Sequence, residues 1–291
     1  MYLWKKIKKN RMSYIFISPF YILFSIFGLY PLLYGIKLSF YDWHGIGSWK
    51  YIGFENYSSL FGDELFGISL RNTVYFWFTI AIPLTILGLI FAFILNNEEL
   101  KFRGIFRTIY ILPYVTSSII IGIVFLSLYD KNYGWINLLL KNLGCKPIEW
   151  LTSTQYSKPS VIGLMLWRWT GYNMVIMLGG LQGIPKEVYE AAKIDGASSF
   201  RSFLSITVPL MRPTIVLCMI LSTIGVFNMF EEPYILTGGG PEYSSTTLTI
   251  YLYNTVFQYG RYGYGAMLSI VISIMIIIIS FLQRIIIKEA Y

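Results

Sequence analysis

Six apolar stretches, near residues 14–36, 73–95, 105–128, 160–182, 209–230 and 264–287, govern what this 291-residue chain can fold into. Crossing a hydrocarbon core of about 30 Å takes roughly 20 helical residues, and each stretch is long enough. Lipid offers no partner to a backbone N–H or C=O, so a stretch that crosses it is expected to be helical. The last is the plainest, since 270–279 is almost free of polar side chains. Pro19, Pro31, Pro83, Pro113 and Pro213 fall within or at the ends of the stretches. Neighbouring helices can satisfy the carbonyls that proline frees, so these residues point to burial in a bundle. With 55% hydrophobic and 13% charged residues and a mean hydropathy of +0.58, a water-soluble surface is excluded. The expected fold is an all-α membrane protein with six transmembrane helices.

The formal charge of +8 does not point to nucleic acid, because much of it is Lys5, Lys6, Lys8, Lys9 and Arg11 ahead of the first stretch. Such a cluster orients insertion and touches anionic lipid headgroups. The stretch that follows exceeds a signal-peptide core and has no small-residue cleavage site after it, so it reads as a first span. With the N-terminus inside, fourteen Lys and Arg fall on inner segments and eight on outer ones. That bias favours both termini in the cytoplasm. The chain then divides into a basic N-terminus (1–13), a six-span domain (14–287) and a short cytoplasmic tail (288–291). The outer segments 37–72, 129–159 and 231–263 are rich in Tyr, Trp and Gly. Trp43, Trp49, Tyr51 and Trp150 either anchor at the interface or form part of a docking face. Cys145 and Cys218 lie in a loop and in an apolar stretch, and His44 is the single histidine, which leaves no basis for a disulfide or a metal cage.

Between the fourth and fifth stretches lies a polar interruption at 185–206 with a definite chemistry. Pro185 suits a first helical position and Glu187 the positive end of a helix dipole, so a short helix is expected from about Lys186 to Lys193. Gly196 can take the left-handed conformation that ends it. Asp195 or Ser198 can then cap a second short helix carrying Phe200, Phe203 and Leu204 on one side. Physics alone leaves two readings open, a hairpin lying on the membrane surface and a docking element for a soluble partner.

The order of residues separates them. Glu190-Ala191-Ala192, then Asp195-Gly196-Ala197, then Phe203, Ile206, Pro209 and Pro213 resembles the EAA loop of ATP-binding-cassette importer permeases, at ten positions in twenty-four. Ile52-Gly53-Phe54-Glu55-Asn56-Tyr57, Gly180-Leu181-Gln182-Gly183-Ile184-Pro185 and Thr237-Gly238-Gly239-Gly240-Pro241 are similar to the MalF/UgpA-type subunit of carbohydrate importers, and the likeness covers nearly the whole chain. Maltose permeases of this type carry extra N-terminal spans and a large periplasmic insertion, which this chain lacks, so it is closer to the compact members. The resemblance implies that the loop is a coupling helix seated in a cytoplasmic ATPase, with Glu190, Ala191, Ala192, Asp195, Gly196, Ala197 and Phe203 as its coupling residues. It further implies two ATPase copies that bind the ATP and Mg, a second permease subunit of MalG type, an extracytoplasmic solute-binding protein, and transport by alternating access. No G-x-x-x-x-G-K-[S/T] occurs, so the chain has no phosphate-cradling loop of its own; it is expected to be a transport subunit with no bound cofactor, and not an enzyme.

Polar side chains within spans are costly and mark candidate solute contacts. In the fourth stretch these are Arg168, Tyr172 and Asn173, beside Trp167 and Trp169; after the fifth they are Asn228, Glu231 and Glu232. Aromatic faces with amides and a guanidinium suit a sugar, while the bland alternative for Arg168 is a packing pair with a carboxylate. Adjacent helical residues point about 100° apart, so at most one of the two glutamates is expected to face the pathway, with Pro233 unwinding the segment. A lone intramembrane cation favours a neutral di- or oligosaccharide over a glycerol-phosphate or polyol. An ATP-independent secondary transporter would call for pseudo-symmetric halves and acid or His relays, which are not apparent.

Overall fold

The computed structural model describes residue 6, residues 9–97 and residues 100–288; Lys5 and Lys8 of the basic cluster and positions 289–291 of the tail lie outside the described residues. Among the described residues, four continuous helices are long and apolar enough to span a membrane: α1 (Arg11–Leu38), α2 (Glu64–Asn96), α5 (Ser157–Leu181) and α10 (Tyr262–Lys288). The third and fifth stretches are instead bent pairs. Helices α3 (Arg103–Val115) and α4 (Ser118–Leu128) meet at 96°, and α7 (Ser199–Leu210) and α8 (Arg212–Phe227) at 72°. The first bend has a local cause in Thr116 and Ser117, both extended at ψ 147° and 130°. The second falls where Pro213, near the start of α8, lacks the N–H that would continue the ladder back to Pro209. The 185–206 loop holds α6 (Lys186–Ile194), and α9 (Glu231–Thr237) follows α8.

Contacts divide the chain into two compact units, Met1–Gly62 with Leu252–Val271, and Asp63–Tyr251 with Ile272–Tyr291. In the first unit a short antiparallel hairpin pairs β1 (Tyr41–Asp42) with β2 (Lys50–Tyr51), Tyr41 opposite Tyr51. Its rings cluster: Trp43 lies 5.3 Å from Trp49 and 5.2 Å from Tyr262, and the Gly263 N–H donates to the Trp43 carbonyl at 3.2 Å. Helix α1 carries exposed apolar side chains, Phe16 being 82% exposed and Phe20 66%.

The second unit holds the core. Phe76, Ile80 and Leu84 of α2 pack with Val161, Leu164 and Met165 of α5 and Val226 of α8; further along, Leu89, Ala92 and Leu95 pack with Met174, Met177, Leu181 and Cys218. Lipid is as apolar as these side chains, so close packing and interhelical hydrogen bonds are what hold the helices together. One such bond point is Thr223, whose hydroxyl accepts from Trp77 Nε1 at 2.9 Å and from Gln283 Nε2 at 2.8 Å, joining α2, α8 and α10. Where α3 crosses α5 the backbones touch. A Cβ on Gly171 would lie 1.8 Å from the Tyr110 carbonyl oxygen, so only glycine fits there.

Candidate functional site

The 185–206 loop forms a helix, a left-handed glycine and a second helix. Pro185 is the residue just before α6, with an extended ψ of 137°, and its carbonyl accepts from the Val188 N–H at 3.3 Å. At the other end Gly196 sits at φ +76°, the Ala197 N–H reaches the Ala192 carbonyl at 2.9 Å and the Gly196 N–H that of Lys193 at 3.1 Å. This pair of bonds is a Schellman ending, which satisfies carbonyls that a helix terminus otherwise leaves open. Of the two expected caps Ser198 is the one used; its hydroxyl accepts from the Arg201 N–H at 3.3 Å. The second helix is the start of α7, which continues through Phe203–Thr207, and is not a separate element.

Burial sorts the loop residues. Glu190, Ala191, Asp195 and Gly196 are exposed, Ala197 is half-buried, and Ala192 is buried. Phe203 points inward: its ring meets Phe93 of α2 edge-on at 4.9 Å and joins the core cluster there. It anchors the hairpin to α2, and the outward aromatic is Phe200, 72% exposed. Tyr189 fastens the other helix, its hydroxyl 3.0 Å from that of Thr207.

Inside the bundle, the bend between α3 and α4 and the break between α8 and α9 meet beside Arg168 of α5. Arg168 Nη1 donates to Glu232 in a buried ion pair, and Nη2 reaches the Thr116 carbonyl at 3.4 Å. The pair is nearly dry, with side-chain exposures of 11% and 6%. The Ser118 hydroxyl, at the start of α4, donates to Glu231. A pair of this kind, taken out of water, holds its elements in register only while both partners are present. Arg168, Trp169, Asn228, Glu231 and Glu232 line a cavity of about 350 Å3 with Phe230. Both glutamates therefore reach the cavity, Glu231 as an exposed side chain and Glu232 as a buried one. The unwound stretch is 228–230 and not Pro233, which lies in the first turn of α9. Proline is tolerated there because first-turn N–H groups have no helical acceptor.

Two other candidates divide. Tyr172 is half-buried and stacks on Tyr114 of α3 at 4.5 Å, with Trp169 edge-on to Tyr114 at 5.2 Å and the Arg168 guanidinium 5.7 Å from the Trp169 ring. Asn173 is 2% exposed and faces the neighbouring helices, accepting from Ser222 at 3.3 Å and donating to the Trp169 carbonyl at 3.3 Å. It therefore packs α5 against α8 and does not line the cavity. Tyr114, Thr116 and Ser118 were missed by the sequence reading. Their signal is the polar run Thr116-Ser117-Ser118 shortly after Pro113, in the middle of a stretch otherwise apolar enough to pass as one helix.

Residues 67–290 match the model of the family described as the binding-protein-dependent transport system inner membrane component. The chain belongs to this family. It is the permease component of an ABC importer, a multi-pass inner-membrane protein and not an enzyme. Among curated relatives, the lactose transport system permease protein LacF of Rhizobium radiobacter is 40% identical over 277 residues, covering 93% of this chain and 92% of LacF. The arabinooligosaccharides transport system permease protein AraP of Bacillus subtilis is 36% identical over 277 residues, 94% of this chain and 88% of AraP. Among solved structures, a bacterial ABC transporter involved in the import of the acidic polysaccharide alginate superposes with a TM-score of 0.86 at 24% identity, over 99% of both chains. The broken helices of this inner membrane component thus belong to a shared fold, in which irregular backbone at membrane depth is tolerated where protein or a cavity surrounds it.

Proposed function

We propose that the chain forms half of the transmembrane pathway of an ATP-driven importer of a neutral di- or oligosaccharide. The observation that carries the solute class is the pairing of Arg168 with Glu232 beside the aromatic faces of Tyr114, Trp169 and Tyr172. A guanidinium already bound to a carboxylate is a poor receptor for phosphate, which argues against a glycerol-phosphate. Rings with half-exposed faces suit the C–H surface of a sugar, while Asn228 and Glu231 offer partners to its hydroxyls. The sugars in the names of LacF and AraP agree with this reading.

The exposed hairpin supports the energy source. Glu190, Ala191, Asp195 and Gly196 present a charge, small side chains and a sharp turn to a groove on an ATPase, where ATP and Mg2+ are held. Two ATPase copies, a second permease subunit and a solute-binding protein complete the importer. The orientation that puts the hairpin in the cytoplasm has a direct test. A cysteine at the exposed position Ser199, made as Ser199→Cys together with Cys145→Ser to remove the exposed native thiol, should react with a membrane-impermeant maleimide only after cell lysis; labelling in intact cells would reverse the topology.

The function is tested in proteoliposomes holding the whole complex, with its solute-binding protein added outside. Disaccharide uptake should require ATP inside and the co-purified ATPase. Tyr114→Ala should reduce uptake about tenfold, the loss expected from removing one aromatic stacking contact, with ATPase recovery unchanged. Unchanged uptake would remove the Tyr114 stack from the pathway, and a wild-type preparation that transports without an ATPase would overturn the whole reading.

A further inference from the structure

The second unit carries two cavities along one seam that the transport reading does not use. At the first, three membrane helices reach their ends together: α2 at Asn96, α3 at Arg103 and α5 at Leu181. There Arg103, Arg107 and Lys186 line a cavity of about 660 Å3 with the amides of Asn96, Asn97 and Gln182, and one carboxylate, Glu190. Arg107 is held in place, Nη2 donating to the Leu95 carbonyl at 2.9 Å, while its Nε is buried and has no hydrogen-bond partner among the described residues. Neither Arg103 nor Arg107 forms an ion pair with a described carboxylate. The second cavity, about 610 Å3, lies farther along α2 and α3 and is almost wholly apolar, lined by Leu87 and Phe91 of α2 and Leu112 of α3, and closed by side chains of α4 and α5 such as Val124 and Leu166.

The geometry points to a bound anionic phospholipid, its phosphate among Arg103, Arg107 and Lys186 and an acyl chain along the α2–α3 seam into the apolar cavity. A headgroup phosphate lies just outside the hydrocarbon, the depth at which spanning helices end. Guanidinium groups bind phosphate through paired N–H donors, and Arg107 has donors left over once Leu95 is served. A free phosphate would use only the first cavity, whereas a lipid accounts for a polar and an apolar cavity in succession on the same pair of helices. Because Lys186 opens α6, a headgroup there also ties the exposed hairpin to the ends of α2 and α3.

The test is a titration of phosphatidylglycerol into the purified, delipidated complex, read by native mass spectrometry. Wild type should bind it in preference to phosphatidylcholine. The double variant Arg103→Gln, Lys186→Gln should weaken binding about thirtyfold, as expected for two cations each worth about 1 kcal/mol toward anionic lipid. Leu112→Trp, which fills the apolar cavity and leaves the cations untouched, should weaken it as well. Unchanged affinity in the double variant, or equal binding of phosphatidylcholine, would overturn the site. Displacement by inorganic phosphate, or no effect of Leu112→Trp, would overturn the lipid and assign the cations to a free anion. Recovery of the ATPase in the same preparations is read separately, so a failed importer reading and a failed lipid site give different results.

Discussion

Arg168→Ala should lower the stability of the assembled complex by on the order of 3–5 kcal/mol, because it leaves Glu232 charged and almost sealed from water, with 6% side-chain exposure and no cation beside it. The sequence alone suggests a milder outcome, reduced uptake by an intact complex. The structure changes that expectation, since Arg168 also reaches the Thr116 carbonyl and so ties α5 to the bend of α3 as well as to α9. Glu232→Gln should be destabilising too, now through an unpaired guanidinium. The pair Arg168→Met with Glu232→Leu removes both charges and should recover most of the loss, as buried ion pairs replaced by apolar side chains of similar size often do. Thermal unfolding of the purified complex, followed by size-exclusion with fluorescence detection, measures all three. Equal stability of Arg168→Ala and wild type would show that the pair does not hold these elements together; a double variant no better than the single ones would show that its role is not electrostatic.

The second large effect concerns the hairpin. Gly196→Val should reduce recovery of the ATPase with the permease by roughly tenfold or more, because a β-branched residue at φ +76° costs about 1–2 kcal/mol in backbone strain and destroys the Schellman ending when it relaxes. Space is not the issue, as a Cβ at Gly196 would meet nothing within 4 Å. Gly196→Asn therefore serves as the control: asparagine tolerates the left-handed region and should keep recovery close to wild type. Both variants should reach the membrane in normal amounts, since the position is exposed and makes no core contact. Loss of the ATPase in both would place the requirement in the missing side chain and not in the turn; retention in both would separate the hairpin from docking.

Much of this architecture can be read directly from residue order. Apolar length identifies α1, α2, α5 and α10, because a lipid-spanning segment has to be long, apolar and helical, and each of those conditions is local. The hairpin is equally local: Gly196 and Ser198 act within a few residues of themselves, through a left-handed turn and a cap. The bends of α3–α4 and α7–α8 are less legible. Composition averages over a window, and a few polar residues hardly move that average, although they are enough to divert the backbone.

Which side chains meet across the bundle is another matter, and there periodicity is silent. Arg168 and Glu232 are 64 residues apart in sequence, and Phe93 and Phe203 more than a hundred. Nothing in either local sequence distinguishes an arginine that lines a cavity from one that closes an ion pair, or a phenylalanine that docks a partner from one that anchors a loop. Asn173 makes the point most sharply, polar and in mid-span like Tyr172 next to it, yet turned toward Ser222 and away from the cavity. The order of residues was enough to determine a membrane bundle with an exposed helix–glycine–helix hairpin, because helix length, apolarity and turn chemistry are properties of neighbouring residues. Only the tertiary structure decided that the intramembrane charges are already paired, because that pairing depends on how two broken helices meet across α5.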